Sequence, residues 1–267
     1  MASESRGMKD ILAKADAADL EFVGGILSGR GGLMNRKGMK AALAELAGAP
    51  DDAGKKDAAV ELLEREIRYA GSADVAYLLR RWRRGPGEAG RGAEDVVHDV
   101  ARKLKVRLDP VGTLEQRMSR LVTKIVEREL VKASPEEQRA VLARHGVGGP
   151  LREQIIDRLR RHGPLGAVPL LAALAGREVA AKIVTDVVLA LVSKVIGREI
   201  ARHLITRLVT RFPWWSQWIG PLGWAASAAW VAFDLQGPAY RKTVPIVLYL
   251  GLVSLRTPED AAAAVAA

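Results

Sequence analysis

Apolar residues recur at helical spacing through the first half of the chain, interleaved with charged residues of both signs. Because a surface helix buries positions three and four apart on one face, this pattern predicts amphipathic helices at 55–69, 93–105 and 114–132. Residues 8–47 are expected to form a helix that continues to Leu27, a loop at the glycine-rich stretch 29–38, and a second helix.

Small and polar residues indicate where several of these helices begin and end. Ser134 followed by Pro135 predicts a helix start, because serine caps the first turn and proline fits its first position. Gly71 is expected to end the helix at 55–69, and Ser72 to cap a new helix through Ala73–Arg83.

The second half is poorer in charge and richer in long apolar runs. A basic amphipathic helix is expected within 146–162, an apolar helix at 163–176, and one long helix or a broken pair at 177–211. Residues 237–245 are expected to form a turn and 246–256 a final apolar helix. The apolar side predicted for 177–211 comprises Val179, Ile183, Val187, Leu191 and Val195.

Five of the six tryptophans lie between Arg211 and Arg241, where Asp234 is the one charged residue. A simple membrane span needs about 20 uninterrupted apolar residues. The break at Gly220-Pro221 leaves shorter apolar runs, so the region 212–256 is predicted to form an apolar helical hairpin instead. Tryptophan is enriched at the boundary of water and lipid, which makes one edge of this hairpin suited to a membrane surface.

Composition extends this local picture to a fold. The chain has 267 residues, of which 49% are apolar, 5% are aromatic and none is cysteine. Alanine, leucine and valine with frequent arginine, glutamate and lysine favour helix over sheet. We therefore expect an all-α helical bundle with the C-terminal hairpin at its centre, wrapped by amphipathic helices. An amphipathic region, 1–145, and an apolar region, 146–260, are expected to form one compact unit.

No residue pattern indicates catalysis, a cofactor or a metal ion. The chain has neither a phosphate-binding glycine loop nor a nucleophile elbow. None of its four histidines has a ligand partner three or four residues further along the chain, so we expect them at the surface or at the edge of the core. We therefore expect a protein that is not an enzyme, with no cofactor.

The net charge of +10 predicts attraction to anionic partners. Arginine is dense at 80–84, around Trp82, and at 158–162, where a solvated helix end is the favoured interpretation and contact with an anionic membrane, an acidic partner or nucleic acid are the alternatives. Anionic membrane lipid is the favoured partner, and a protein partner or self-association is a second one. Nucleic acid is the least favoured, because no known nucleic-acid motif accompanies the arginines. The lack of cysteine suits a reducing cytoplasm, with association at the inner membrane.

Several short motifs resemble the bacterial YaaW family. They are Asp19-Leu20-Glu21-Phe22, Tyr69-Ala70-Gly71-Ser72, Val97-His98-Asp99-Val100 and, most of all, the run from Gly237 to Pro245 with Tyr240, Arg241, Thr243 and Pro245, followed by Leu248 and Leu255-Arg256. The tryptophans stand where family members tend to have a glycine-rich segment. Through its domain name the family is linked to assembly chaperones of ubiquinol–cytochrome c reductase. The resemblance implies a helical, non-enzymatic protein near membranes.

We therefore expect a membrane-active protein whose soluble form buries the hairpin and releases it into a membrane, inserting in it or permeabilising it. Pore-forming proteins of the colicin and Bcl-2 type share this architecture, which is an analogy of design alone. The alternative is an assembly chaperone or adaptor that binds a partner helix in an apolar groove. The candidates for insertion are Trp214, Trp215, Trp218, Trp224, Trp230, Leu248 and Leu250; the candidates for contact with anionic lipid are Arg158, Arg160, Arg161, Arg207 and Arg211.

Overall fold

The computed structural model describes residues 2–28, 36–72, 92–164, 166–196 and 240–255. Across these ranges the chain forms eleven α-helices and no strand. The expected all-α helical bundle is therefore confirmed.

The described helices, in chain order, are α1 (Ala2–Lys14), α2 (Ala17–Leu27), α3 (Arg36–Gly48), α4 (Ala53–Ala70), α5 (Ala93–Lys103), α6 (Leu114–Lys132), α7 (Pro135–Arg144), α8 (Gly149–His162), α9 (Ala167–Ala175), α10 (Arg177–Ile196) and α11 (Tyr240–Val253). From α4 to α9 these bounds lie within a few residues of the predicted ones. The described connections between consecutive helices are one to four residues long, except for the ten-residue connector 104–113 between α5 and α6.

The start of α7 confirms the prediction made from Ser134 and Pro135. The Ser134 hydroxyl accepts a hydrogen bond from the backbone N–H of Glu137 at 3.3 Å, and the Glu137 carboxylate accepts one from the N–H of Ser134 at 2.7 Å. This reciprocal cap satisfies two N–H groups that have no partner within the helix.

The break between α1 and α2 contradicts the single helix expected up to Leu27. Asp16 has an extended backbone and caps the start of α2. Its carboxylate accepts a hydrogen bond from the backbone N–H of Asp19 at 2.9 Å. The Asp19 carboxylate accepts one in return from the N–H of Asp16 at 3.2 Å. Two aspartates at this spacing offer the backbone an alternative to the helical ladder, and the apolar periodicity does not reveal it.

The last described helix, α11, lies at the centre of the bundle. It packs most extensively on α10 and α6, and also contacts α5, α2, α1 and α4. Apolar side chains from both predicted regions, 1–145 and 146–260, join a single core around it. The amphipathic helices thus bury their apolar faces against a helix from the far end of the chain.

The turn expected at 237–245 is wrong from Tyr240 onward, because α11 already begins there and contains Pro245. Proline inside a helix removes one backbone hydrogen bond and costs about 3 kcal/mol. The residue whose carbonyl loses this bond, Arg241, is exposed near the start of the helix. Burial of the apolar residues that follow Pro245 offsets the cost.

The apolar side predicted for α10 is correct but too narrow. Ile183 and Leu191 are buried, whereas Val179, Val187 and Val195 are only partly buried against the core. The buried face also contains residues outside the predicted set: Ala180, Val184, Val188, Leu189 and Val192. Contact with α9 on one side and α11 on the other explains the extra width.

Candidate functional site at the enclosed apolar helix

The candidate site is α11 with the residues that hold it in the bundle. Every residue of α11 from Thr243 to Val253 is buried. Leu248 and Leu250, two of the expected insertion residues, are 1% and 0% exposed. A helix that is apolar around its whole circumference belongs either in a protein core or in a membrane, and here it lies in the core.

A buried hydrogen bond joins α11 to α2. The Tyr249 hydroxyl donates to the Asp19 carboxylate at 2.6 Å, and neither residue has any exposed surface. The Tyr249 ring lies against Phe22, with 4.3 Å between the ring centroids. A buried carboxylate is costly without hydrogen-bond donors, so this contact fixes the middle of α11 in one position against α2.

Two lysines hold the first turn of α11. The Lys242 ammonium group donates a hydrogen bond to the carbonyl oxygen of Leu27, at the end of α2, at 3.0 Å. The ammonium nitrogen of Lys103, at the end of α5, lies 5.0 Å from the centroid of the Tyr240 ring, within the range of a cation–π contact. The start of α11 is thus held by polar contacts at the edge of the bundle.

At the other end of α11, Gly251 allows a close approach to α6. A Cβ atom added at this glycine would lie 2.6 Å from the Val122 Cγ2 atom and 3.0 Å from the Met118 carbonyl oxygen. Both distances are shorter than ordinary van der Waals contacts, so the two helices pack here with no space for a side chain.

The residues of the family resemblance occupy two ends of α5 and do not form one site. Gly71 follows α4, and a Cβ atom there would lie 2.5 Å from Val96 Cγ2 near the start of α5. The buried Ser72 hydroxyl donates to the Arg68 carbonyl oxygen at 3.0 Å. Tyr240 lies near the end of α5, as described above, and Thr243 and Pro245 are buried, whereas Arg241 is exposed. Gly71 marks a close contact between the end of α4 and the start of α5, and Tyr240 lies at the opposite end of α5.

The arginines expected on α8 differ in their surroundings. Arg160 and Arg161 are exposed and Arg158 is half-buried. Arg161 forms an ion pair with Asp157, one helical turn earlier. This pairing reduces the positive charge that α8 presents to an anionic partner.

The remaining predicted site residues lie outside the described ranges. They are Trp214, Trp215, Trp218, Trp224 and Trp230 of the hairpin, Arg207 and Arg211 before it, Asp234 within it, and the arginines around Trp82.

Two buried glutamates carry raised pKa values. Burial raises the pKa of Glu127 above its ordinary value, although the carboxylate accepts hydrogen bonds from the backbone N–H groups of Gly166 at 3.0 Å and Val168 at 3.4 Å. Burial likewise raises the pKa of Glu64, against the opposing effect of Arg68. Through its hydrogen bonds with Gly166 and Val168, Glu127 on α6 caps the start of α9.

His145 lies at the edge of the core, as expected for the histidines, but its ring has a partner that the sequence does not reveal. Its Nε2 atom lies 2.5 Å from the Asp186 carboxylate, and the two side chains are 4% and 0% exposed. The pair joins the end of α7 to the middle of α10 across 41 positions of sequence. Asp186 is the single acidic residue in a long apolar run, which is the signal that could have indicated a buried partner.

Among the described residues, no helix combines the length and the apolar character that crossing a bilayer requires. Within the same ranges, no three acidic or histidine side chains are grouped as a metal ion would require.

Comparisons with known proteins give one distant similarity. No protein-family model matches the chain. No solved structure matches it. The chain is 24% identical over 202 residues to a UPF0174 protein from Helicobacter pylori strain J99, and the similar region covers 74% of this chain and 72% of that protein. The name of this relative states no activity, so the similarity extends over most of the chain without assigning a function to it.

Proposed function

We propose that the protein is a non-enzymatic, membrane-active helical protein that keeps an apolar hairpin inside its bundle and releases it into anionic membranes. The observation that carries the proposal is the position of α11. It is buried from Thr243 to Val253, yet polar contacts hold it at Lys242 and at Tyr249. Loss of a few such contacts would let the helix leave as a unit.

The length of α11 limits how it can enter a membrane. Its 14 residues extend over about 21 Å, which is less than the hydrocarbon core of about 30 Å. We therefore propose that α11 enters the membrane together with the tryptophan-rich segment before it, as the second arm of the hairpin 212–256. The tryptophans would then lie at the lipid boundary, where their rings are favoured.

The move would exchange one apolar environment for another. The side chains of α11 lose their packing against six helices and gain contact with lipid chains. The buried Asp19 would lose the Tyr249 hydroxyl in the process. The proposal locates this activity at the cytoplasmic face of the inner membrane, where anionic headgroups attract a protein of net charge +10.

The alternative function, an assembly chaperone or adaptor, needs an apolar groove open to a partner helix. In the part of the chain that the structure describes, the large apolar residues with exposed side chains are Val111 and Leu255, and they belong to different segments. No described surface therefore favours this alternative over the first. The family resemblance that suggested it stays a prediction.

The test measures dye release from vesicles of equal parts phosphatidylglycerol and phosphatidylcholine, and from vesicles of phosphatidylcholine alone. We expect release from the anionic vesicles and little from the neutral ones. Tyr249→Phe keeps the ring against Phe22 but removes the hydroxyl that donates to Asp19. Losing that donor should lower the free energy of unfolding by about 1–3 kcal/mol and raise the rate of release roughly fivefold or more.

Tyr240→Phe is the matched control. It also removes a tyrosine hydroxyl group, and the ring that lies near Lys103 remains. Its release rate and stability should equal those of the unsubstituted chain. Absence of release at any pH would overturn the proposal. A Tyr249→Phe chain that is less stable but releases no faster would show that the exit of α11 does not limit release. A stable stoichiometric complex with a partner protein and no effect on vesicles would favour the chaperone.

A further inference from the structure

The connector between α5 and α6, residues 104–113, is held along α6 by three cationic side chains. Arg128 donates a hydrogen bond to the Leu104 carbonyl oxygen at 2.7 Å, and Lys124 donates one to the Arg107 carbonyl oxygen at 2.8 Å. Arg120 donates to the Val111 carbonyl oxygen. The three donors are four residues apart, so they share one face of α6. They fix the connector through its backbone carbonyl groups and do not involve its side chains.

The side chains of the connector alternate between the core and the surface. Val106 and Leu108 pack against the core, whereas Lys105 and Arg107 are exposed. Val111 is 69% exposed, the highest value among the large apolar residues that the structure describes. Lys105 lies in the turn that ends α5, with a φ of 54°, and the residues after it are no longer helical, so the side chains of 105–108 do not share one helical face.

We call Lys105, Arg107, Arg120, Lys124 and Val111 the connector patch. None of its four cations forms an ion pair within the described ranges. Asp109 is the acid within the connector, and its carboxylate accepts a hydrogen bond from the Val111 backbone N–H at 2.9 Å. By contrast, Arg161 on α8 is paired with Asp157, and Arg139 on α7 with Glu153. The cations of the connector patch are thus less neutralised than Arg161 and Arg139.

We infer that the connector patch is the surface on which the protein docks to an anionic membrane, with Lys105 and Arg107 against lipid phosphates and Val111 at the hydrocarbon boundary. This inference rests on the proposed membrane activity, for which it names the first contact. Basic residues gain free energy near anionic lipid, and an exposed aliphatic side chain gains it by leaving water.

The lack of an accessible aromatic ring among the described residues of this surface favours lipid over nucleic acid. The connector patch contains no aromatic side chain on which a base could stack, and the nearby Tyr240 ring is covered by Lys103. Lys103 also places the connector beside the start of α11. Docking here would bring the beginning of the enclosed helix to the lipid surface, where its release is proposed to occur.

The test measures cosedimentation with the same anionic vesicles, using Lys105→Gln combined with Arg107→Gln. Each basic residue near an anionic surface is worth about fivefold in binding, so this double variant should bind about 30-fold more weakly. Both side chains are exposed, and the Arg107 carbonyl that Lys124 holds belongs to the backbone, so thermal stability should not change. Val111→Asn should also weaken binding, and its effect should persist at high salt, where the charge contribution is screened.

Lys37→Gln combined with Lys40→Gln is the matched control, since it removes the same charge from two exposed positions on α3. It should weaken binding by less than about threefold, through net charge alone. Equal losses in the two double variants would overturn the inference, as would unchanged binding of the connector variant. Patch-dependent binding to a DNA duplex without binding to vesicles would also overturn it.

The two proposals fail in distinguishable ways. Dye release that does not depend on the connector patch overturns this inference and leaves the proposed function standing. Patch-dependent binding without dye release supports this inference and overturns the proposed function. Neither binding nor release overturns both.

Discussion

At the scale of single residues, buried carboxylates set how the stability of the bundle depends on pH. Glu127 is 5% exposed, and burial raises its pKa although two backbone N–H groups of the segment 166–168 stabilise its charge. The folded chain therefore binds this proton more tightly than the unfolded chain, whose carboxyl group has the ordinary pKa of 4.5. As pH rises from 4.5 through the raised value, ionised Glu127 makes the folded state less stable. Glu64 acts in the same direction.

Glu127→Gln should therefore make the fall in the free energy of unfolding with rising pH shallower. Glu64 can still ionise in this variant and should account for the part of the fall that remains. The amide oxygen can still accept from Gly166 and Val168, so the cap of α9 is retained. Urea denaturation across the acidic to neutral range measures the slope.

Glu153→Gln is the control for this slope. Its ion pair with Arg139 lowers the pKa of Glu153, so its contribution is present above the ordinary pKa and lost as pH falls through the lowered value. Glu153→Gln should therefore remove a contribution that makes stability rise with pH, which is opposite in sign to that of Glu127. The contribution should be small, because the ion pair with Arg139 is exposed at the surface. A Glu127→Gln chain with the slope of the unsubstituted protein would contradict the assignment to Glu127.

At the scale of elements, the close contact of α11 with α6 is the feature most sensitive to size. Gly251→Ala would introduce a Cβ atom 2.6 Å from Val122 Cγ2 and 3.0 Å from a backbone oxygen of Met118. Overpacking costs about 1–3 kcal/mol, whereas alanine gains about 0.5–1 kcal/mol over glycine in a helix. We expect a net loss of about 1–2 kcal/mol in the free energy of unfolding, measured by urea denaturation.

Gly48→Ala in α3 is the matched control, because among the described residues no atom outside its own stretch of helix lies within 4 Å of its added Cβ. That variant should be as stable as the unsubstituted chain or slightly more stable. Equal stability of the Gly251→Ala chain would mean that α6 and α11 can move apart without cost, which the packing described here does not allow.

At the scale of the whole molecule, a helix from the far end of the sequence completes a core to which the preceding helices contribute. A chain that ends at Pro238 would lack α11 and expose the faces of the six helices that contact it. We expect it to lose cooperative unfolding and to bind a hydrophobic dye while keeping much of its helical signal. Calorimetry, dye fluorescence and far-ultraviolet circular dichroism together measure these properties.

A chain that ends at Arg256 retains α11 and every described contact, and should unfold as the full chain does. If the shorter chain also unfolds cooperatively, α11 is dispensable for the core and its release would cost little. The two truncations therefore measure how strongly the bundle retains the helix that the proposed function requires it to release.

Much of the helical pattern could be predicted because it depends on local chemistry. The start of α7 follows from Ser134 and Pro135, and the extent of α6 matches the predicted range 114–132. Two local predictions failed where tertiary packing or a polar cap outweighed periodicity. Asp16 divides the first helix, and Pro245 lies inside α11 because burial on all sides offsets its cost.

The candidate site could be predicted only in part. The apolar character of Leu248 and Leu250 indicated that they avoid water, and both are buried. The contacts that hold α11 could not be predicted, because Tyr249 and its partner Asp19 are 230 positions apart. The connector patch had a local signal, since basic and apolar residues alternate over 105–108, but its meaning required the exposure of each side chain.

Local sequence was enough to predict that the chain is helical, where most of the described helices begin and end, and that the last described helix is apolar over most of its length. These properties depend on residues within a few turns of one another. The packing of the folded chain was needed to show that this helix is the centre of the bundle and that Asp19 binds it. It also decided that the cations of the connector patch remain unpaired with described carboxylates. The physical reason is that burial and charge pairing depend on which distant surfaces meet, and periodicity does not specify the partner.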